Sequence, residues 1–168
     1  MIIGLQPGKF WDEGKFMCSL FRRDMKIYIY PGADKDYAEA CIKELNSMPK
    51  ELLGEICRKA VIYCTECLNL WAEIDKRDEI EAKMSVKPVP DMPPEKILQC
   101  ITPVSMSVRE SEDGQIGYQV EFDCEFEPEK GMEIVVLGGK LLYLGAFGDH
   151  SPWDDFSISD NQFKGESL

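Results

Sequence analysis

The chain has 168 residues, of which 44% are hydrophobic, and its 31 acidic and 19 basic residues give a formal net charge of −12. This size and hydrophobic share fit one globular domain with its own core and exclude an intrinsically disordered chain. The negative charge disfavours nucleic acid and anionic lipid as partners, because both are held largely by lysine and arginine on phosphate. We therefore expect no nucleic acid and no membrane as partners; a basic protein would be attracted.

The opening residues, MIIGLQPGKFWDEG, lack the basic start and the long apolar run of a secretory signal. No stretch approaches the ~20 apolar residues that a membrane-spanning helix needs. The 7 cysteines are an odd number, and most occupy apolar positions of periodic segments. Free cysteine at such positions behaves as a small hydrophobic residue. The sequence therefore predicts a cytoplasmic location with reduced thiols.

The N-terminal half begins with an irregular lead-in over residues 1–13. Apolar and polar residues then alternate over 15–21 and 25–30, which predicts a β-hairpin. The period changes to that of a helix over 33–48 and again over 49–75. The charged stretch that follows, up to residue 83, is either the solvated end of the second helix or a short third helix.

The C-terminal half begins with a connector at 86–94 that holds four prolines and is expected to run extended across the surface. A single helical turn at 94–99 and a strand at 101–109 follow. Residues 118–148 predict three antiparallel strands with turns at 128–131 and at Gly138-Gly139. We assign residues 1–153 to one domain and 154–168 to a polar tail with frayed last residues, although Phe156 is expected to dock.

Four carboxylates dominate the predicted strand at 120–127. They alternate with apolar residues and would all face solvent: Glu121, Asp123, Glu125 and Glu127. A straight strand places such neighbours ~7 Å apart, too far to surround one ion, and the glycine-containing loop of calcium sites is missing. We therefore assign no metal ligands and interpret the row as either a solvated face or an anionic surface for a partner.

Three further features have a structural and a functional interpretation. The Cys64-x-x-Cys67 pair lies within a predicted helix, which favours core packing over a zinc or redox role. His150 is the only histidine, so any histidine mechanism would run through Asp149-His150-Ser151, but an ordinary loop histidine is favoured. Trp11 and Trp153 flank the sheet segments and form either an aromatic recognition patch or caps on the core edge.

Several residues in the acidic strand region carry a resemblance to a known group. They are Phe122-Asp123-Cys124-Glu125-Phe126-Glu127-Pro128-Glu129-Lys130-Gly131-Met132-Glu133, then Gly139-Lys140 and Tyr143-Leu144-Gly145. In these residues and in the order of its elements the chain resembles uncharacterised bacterial domains of unknown function, some of which are associated with immunity proteins of toxin systems. The resemblance implies an N-terminal hairpin, helices and a closing meander. It implies no catalytic residues.

The predicted fold is α+β: a mainly antiparallel sheet of about six strands with two helices packed on one face. The predicted function is a non-catalytic cytoplasmic protein-binding domain of the immunity type, which neutralises a basic partner. Its expected binding residues are the four carboxylates with Trp11 and Trp153, and it needs no cofactor. Two alternatives are a metal-dependent hydrolase or ligand-binding enzyme that uses the same carboxylates, and an oligomerising structural module.

Overall fold

The computed structural model describes residues 1–157; the predicted frayed end of the tail lies outside them. The α+β class and the mainly antiparallel sheet are confirmed, but the sheet has seven strands and the described chain has three α-helices and one 3₁₀ helix. In chain order the elements are β1 Ile3–Gln6, β2 Asp12–Cys18, β3 Arg23–Ile29, α1 Lys35–Asn46, α2 Lys50–Glu73, α3 Arg77–Lys83, the 3₁₀ helix Pro94–Cys100, β4 Ile101–Val108, β5 Gly117–Cys124, β6 Glu127–Leu137 and β7 Lys140–Gly145. The predicted counts of six strands and two helices were therefore too low.

The strands lie in the sheet in the order in which they occur in the chain. Every neighbouring pair is antiparallel except β3 and β4, which are parallel. Parallel neighbours require a long crossover, and here that crossover contains all the helices of the described chain. One face of the sheet, the inner face, packs against this helical layer in a single large core.

Strand β1 lies within the segment predicted to be irregular, and β2 starts three residues before the predicted position 15. Gly14 explains the second error, because it occupies an inner-face position with no apolar side chain to reveal the alternation. A Cβ atom at Gly14 would lie 2.7 Å from the Cγ2 of Ile2. The glycine therefore permits the close approach of the β1 segment, which the local pattern did not predict.

The helices begin and pack as their spacing predicts. The Asp34 carboxylate caps α1 by accepting the backbone N–H of Tyr37 at 2.8 Å. α3 is a separate helix, which decides between the two predicted alternatives. Two hydrogen bonds attach α2 to the sheet: the Tyr63 hydroxyl donates to the Gly131 carbonyl at 2.9 Å, and the Trp71 indole donates to the Phe126 carbonyl at 3.0 Å.

All seven cysteines are free and buried, as predicted. Burial raises the pKa of Cys41, Cys64 and Cys67 to about 12, so these thiols stay protonated at neutral pH. The Cys64-x-x-Cys67 pair therefore packs in the core, and its thiols lack the thiolate character that reactive cysteines need. Within residues 1–157, none of the helices has the length and apolar character of a membrane span.

Candidate functional site

The face of the sheet opposite the helices, here called the outer face, carries two rows of side chains that cross the sheet from β2 to β7. The pairing register aligns the first row as Glu13, Tyr28, Ser107, Gln119, Val135 and Tyr143. The second row is Lys15, Lys26, Ser105, Glu121, Glu133 and Gly145. The second row changes from positive to negative charge as it crosses β4.

The four predicted carboxylates do not share one strand. β5 ends at Cys124, the chain reverses at Glu125-Phe126, and Glu127 already belongs to β6. The turn predicted at 128–131 is instead an irregularity within β6, where Phe122 pairs with Met132 while Cys124 pairs with Glu127. Phe126 is fully buried although it lies in the turn, and this burial explains why the alternation continued past the end of the strand.

Hydrogen bonds separate these carboxylates into two groups. Glu125 accepts the backbone N–H and the hydroxyl of Ser85, both at 2.6 Å. Glu127 accepts the backbone N–H groups of Glu129 and Lys130, both at 3.2 Å. On the outer face, Glu121 accepts one hydrogen bond, from the Ser105 hydroxyl at 2.8 Å, and Asp123 is exposed. In the described chain neither Glu121 nor Asp123 forms an ion pair.

Trp11 packs on the outer face with two tyrosines. Its ring centroid lies 5.4 Å from those of both Tyr28 and Tyr30. The guanidinium of Arg109 lies 4.4 Å from the centroid of Tyr30 and forms an ion pair with Asp149 at 2.9 Å. Trp153 lies four residues after Asp149 in the chain, and its backbone N–H donates to the Ser151 hydroxyl at 3.2 Å.

Glu133 is the outer-face residue that the sequence analysis missed. Its side chain is fully buried, and its carboxylate accepts hydrogen bonds from the Gln119 amide at 2.6 Å and from the Gly148 backbone N–H at 3.1 Å. The His150 ring nitrogen Nδ1 and backbone N–H contact the same carboxylate. His150 is therefore not an ordinary loop histidine, because it attaches the C-terminal segment to the sheet.

A small apolar cluster packs beside Glu133 and His150. Val135, Tyr143 and Phe156 form a second core, separate from the one beneath the helices. The rings of Tyr143 and Phe156 stack with centroids 5.8 Å apart, and the His150 ring lies 4.5 Å from Tyr143. Burial, with a smaller effect from the Glu133 carboxylate, raises the pKa of Tyr143 to about 12. The C-terminal segment thus covers the β6–β7 side of the outer face.

The β2–β3 side of the outer face is exposed and cationic. Lys15 lies directly opposite Lys26 across the strand pair, and both are exposed. Lys26 forms an ion pair with Glu13 at 3.5 Å, and Tyr28 and then Glu13 raise the pKa of Lys26. Like charges directly opposite each other are unfavourable, so the charge of Lys15 is not neutralised by its cross-strand neighbour Lys26.

The fold defines a helix-backed antiparallel sheet with a polar and aromatic outer face. The chain belongs to the family described as Domain of unknown function (DUF6985), whose model matches residues 2–151. The predicted resemblance to domains of unknown function is thereby confirmed. No curated protein and no solved structure matches the chain significantly. In the described part of the chain, no three His, Cys, Asp or Glu side chains come together in a way that could hold a metal ion.

Proposed function

We propose that this chain is a non-catalytic protein-binding domain that receives a basic partner on the carboxylates of its outer face. An immunity-type role, in which the partner is a basic toxin, is the biological form of this proposal that the predicted resemblance implies. Glu121 and Asp123 form the centre of the binding surface. Glu125, Glu127, Trp11 and Trp153 are the further contacts of this proposal.

One observation carries the proposal: Glu121 and Asp123 extend from the face that the helices leave uncovered, and no cation of the described chain neutralises them. An arginine or lysine of a partner would supply that charge and fill the vacant acceptor positions. The net charge of −12 would speed the approach of such a partner.

The test is capture of partners from a lysate of the native host, with mass spectrometry of what is retained. Wild-type protein is compared with the double variant Glu121→Gln, Asp123→Asn, which keeps the side-chain shapes and removes two charges. The matched control, Glu51→Gln with Glu73→Gln, removes two charges from the exposed side of α2 in the helical layer.

We expect the wild type and the helix control to retain the same basic protein, and the outer-face variant to bind it about tenfold more weakly or worse. Equal affinity for both double variants would show that the outer-face carboxylates are not used. Retention of an acidic partner would contradict the charge argument itself.

The exposed side of α2 supports a second proposal, the oligomerising module. Leu70 on α2 is 62% exposed, and Ile74, the residue directly after the end of α2, is 58% exposed. Large exposed apolar side chains at one end of a helix favour association with a second copy of the chain. Light scattering of the wild type and of Leu70→Lys separates this proposal from the first: a dimer that the substitution dissociates supports it, and a monomeric wild type removes it.

A further inference from the structure

A cleft opens at the β1–β2 end of the sheet, away from Glu121 and Asp123. It has a volume of about 640 Å³ and is lined by the β1–β2 loop and the start of β2. This size falls within the ~300–1,000 Å³ of small-molecule sites. Its lining combines two aromatic side chains, Phe10 and Trp11, with two lysines, Lys9 and Lys15, and one carboxylate, Glu13.

Two lysines of this cleft lack an ion-pair partner in the described chain, because the one carboxylate of the lining, Glu13, pairs with Lys26 at 3.5 Å. Lys9 and Lys15 are both exposed, and neither forms an ion pair anywhere in residues 1–157. The chain has 12 more acidic than basic residues, so carboxylates to neutralise them are plentiful elsewhere on the surface. Lys15 also faces Lys26 across the strands, and Glu13 pairs with Lys26 and not with Lys15, so an anion in the cleft would supply the counter-charge that Lys15 lacks.

The aromatic side chains of the cleft contact one another and leave one ring exposed. Phe10 is 62% exposed although it is a large apolar residue, and its ring centroid lies 6.0 Å from that of Trp11. Trp11 is held in turn by Tyr28 and Tyr30. The Lys9 ammonium lies 5.1 Å from the centroid of Phe10. An exposed ring face beside an ammonium group can stack on a flat ring and bind its negative substituent.

The overall negative charge favours a small ligand over a nucleic-acid chain. A chain with a net charge of −12 repels an extended polyanion, because each phosphate outside the cleft meets the negative surface. A small ligand with one anionic group keeps its charge between the lysines. The surroundings therefore favour a small molecule over RNA or DNA.

We infer that the cleft binds a small anion that carries a flat ring, a ring joined to a single phosphate or carboxylate, with Phe10 as the stacking surface and Lys9 and Lys15 as the anion ligands. This site is distinct from the carboxylate surface of the proposed function. The two sites have Trp11 in common but no charged residue, so the loss of either set of charged side chains tests one site without the other.

The test is isothermal titration of the full chain with two probes, adenosine 5′-monophosphate for a phosphate source and indole-3-acetate for a carboxylate source. Adenosine, inorganic phosphate and a 12-nucleotide single-stranded RNA are titrated in parallel. The variants are Lys9→Ala with Lys15→Ala, and Phe10→Leu. The matched control is Lys50→Ala with Lys87→Ala, which removes two exposed lysines outside the cleft. Circular dichroism verifies that each variant is folded.

We expect at least one probe to bind with a dissociation constant of about 1 mM or tighter, and the stronger probe to identify the anionic group. The lysine pair variant and Phe10→Leu should each weaken binding about tenfold, whereas the control pair should not. Adenosine and phosphate alone should bind more weakly than the intact probe. No binding of either probe, equal binding by the two lysine variants, or tighter binding of the RNA would each overturn the inference.

Discussion

The outer face of the sheet has two halves, and charged side chains have opposite environments in them. On the β6–β7 side, the Glu133 carboxylate is fully buried and satisfied by His150, Gln119 and backbone N–H groups. On the β2–β3 side, Lys15 lies in the same cross-sheet row, but it is exposed, unpaired in the described chain and opposite another lysine. Within residues 1–157, the C-terminal segment completes the first half and does not cover the second.

This difference indicates which half is available for binding. A buried charge with a full set of hydrogen bonds stabilises one arrangement and has no capacity left for a ligand. Where exposed like charges are adjacent, binding a ligand of opposite charge lowers the free energy. The outer-face carboxylates Glu121 and Asp123 lie between the halves, on β5; Asp123 is exposed, Glu121 is half-buried, and neither forms an ion pair within the described residues.

The largest expected effect comes from removing the carboxylate that defines the covered half. Glu133→Ala should lower the free energy of unfolding by about 3–5 kcal/mol, because the His150 ring, the Gln119 amide and two backbone N–H groups lose their acceptor in a buried site. Urea unfolding followed by circular dichroism measures this change.

The control is Glu129→Ala on the same strand, where the side chain is exposed and the change should be near zero. A loss below about 1 kcal/mol for Glu133→Ala would mean that the C-terminal segment is not held by this carboxylate, and the contrast between the halves would fail.

The strand alternation and the helical periodicity predicted the class of fold, because both patterns are local. Met106 and Val108 of β4, and Val120 and Phe122 of β5, lie in the inner-face core as their alternation predicts, whereas Val104, expected on the same face, lies at an irregularity of β4 and is half-buried. The Gly138-Gly139 turn was also predictable, since both residues adopt the positive φ that such two-residue turns need. β1 was missed because its position depends on close contact with Gly14, a residue distant enough in the chain to leave no local pattern.

The candidate surfaces were less predictable than the fold. The prediction that the four carboxylates share one strand was wrong, because Phe126, buried in the turn, extends the apolar alternation beyond the end of β5. Glu133 is visible in the sequence as a single charged residue in an otherwise apolar stretch, Met132–Glu133–Ile134–Val135–Val136. Its partner His150 is 17 residues away in the chain, and that distance concealed the contact. The rows of the outer face depend on the pairing register, which the sequence alone does not specify.

The second effect compares one residue type on the two halves. Phe156→Ala should lower the free energy of unfolding by about 2 kcal/mol, because Phe156 is 9% exposed and stacks on Tyr143. Phe10→Ala, at a side chain that is 62% exposed, should change it by less than about 0.5 kcal/mol. Thermal and urea unfolding of the two variants measure both values. Equal losses would contradict the assignment of one half as covered and the other as available.

The third effect is the contribution of Tyr143, in the covered half, to the loss of stability at alkaline pH. The pKa of Tyr143 is about 12 in the folded chain and about 10 in the unfolded chain, so the unfolded state loses this proton first as the pH rises. The resulting stability is fully present below pH ~10 and is lost by about 1.4 kcal/mol per pH unit towards pH ~12. In Tyr143→Phe this part of the slope should disappear. Urea midpoints at several alkaline pH values provide the measurement, and parallel curves for the two proteins would contradict it.

The smallest effect, and the one that most sharply separates stability from binding, concerns the lysine pair on the exposed half. Lys15→Thr should raise the free energy of unfolding by about 0.5 kcal/mol, because it removes the like charge opposite Lys26 and introduces a residue suited to strands. The gain should shrink in high salt, which screens exposed charges. Lys140→Thr in β7 is the control, since Lys140 pairs with Leu137 and has no like charge opposite it. If Lys15→Thr is more stable yet loses the ring-bearing anion, the repulsion belongs to a binding site; if it is less stable than the wild type, Lys15 stabilises the fold and the exposed half has no uncompensated charge to offer a ligand.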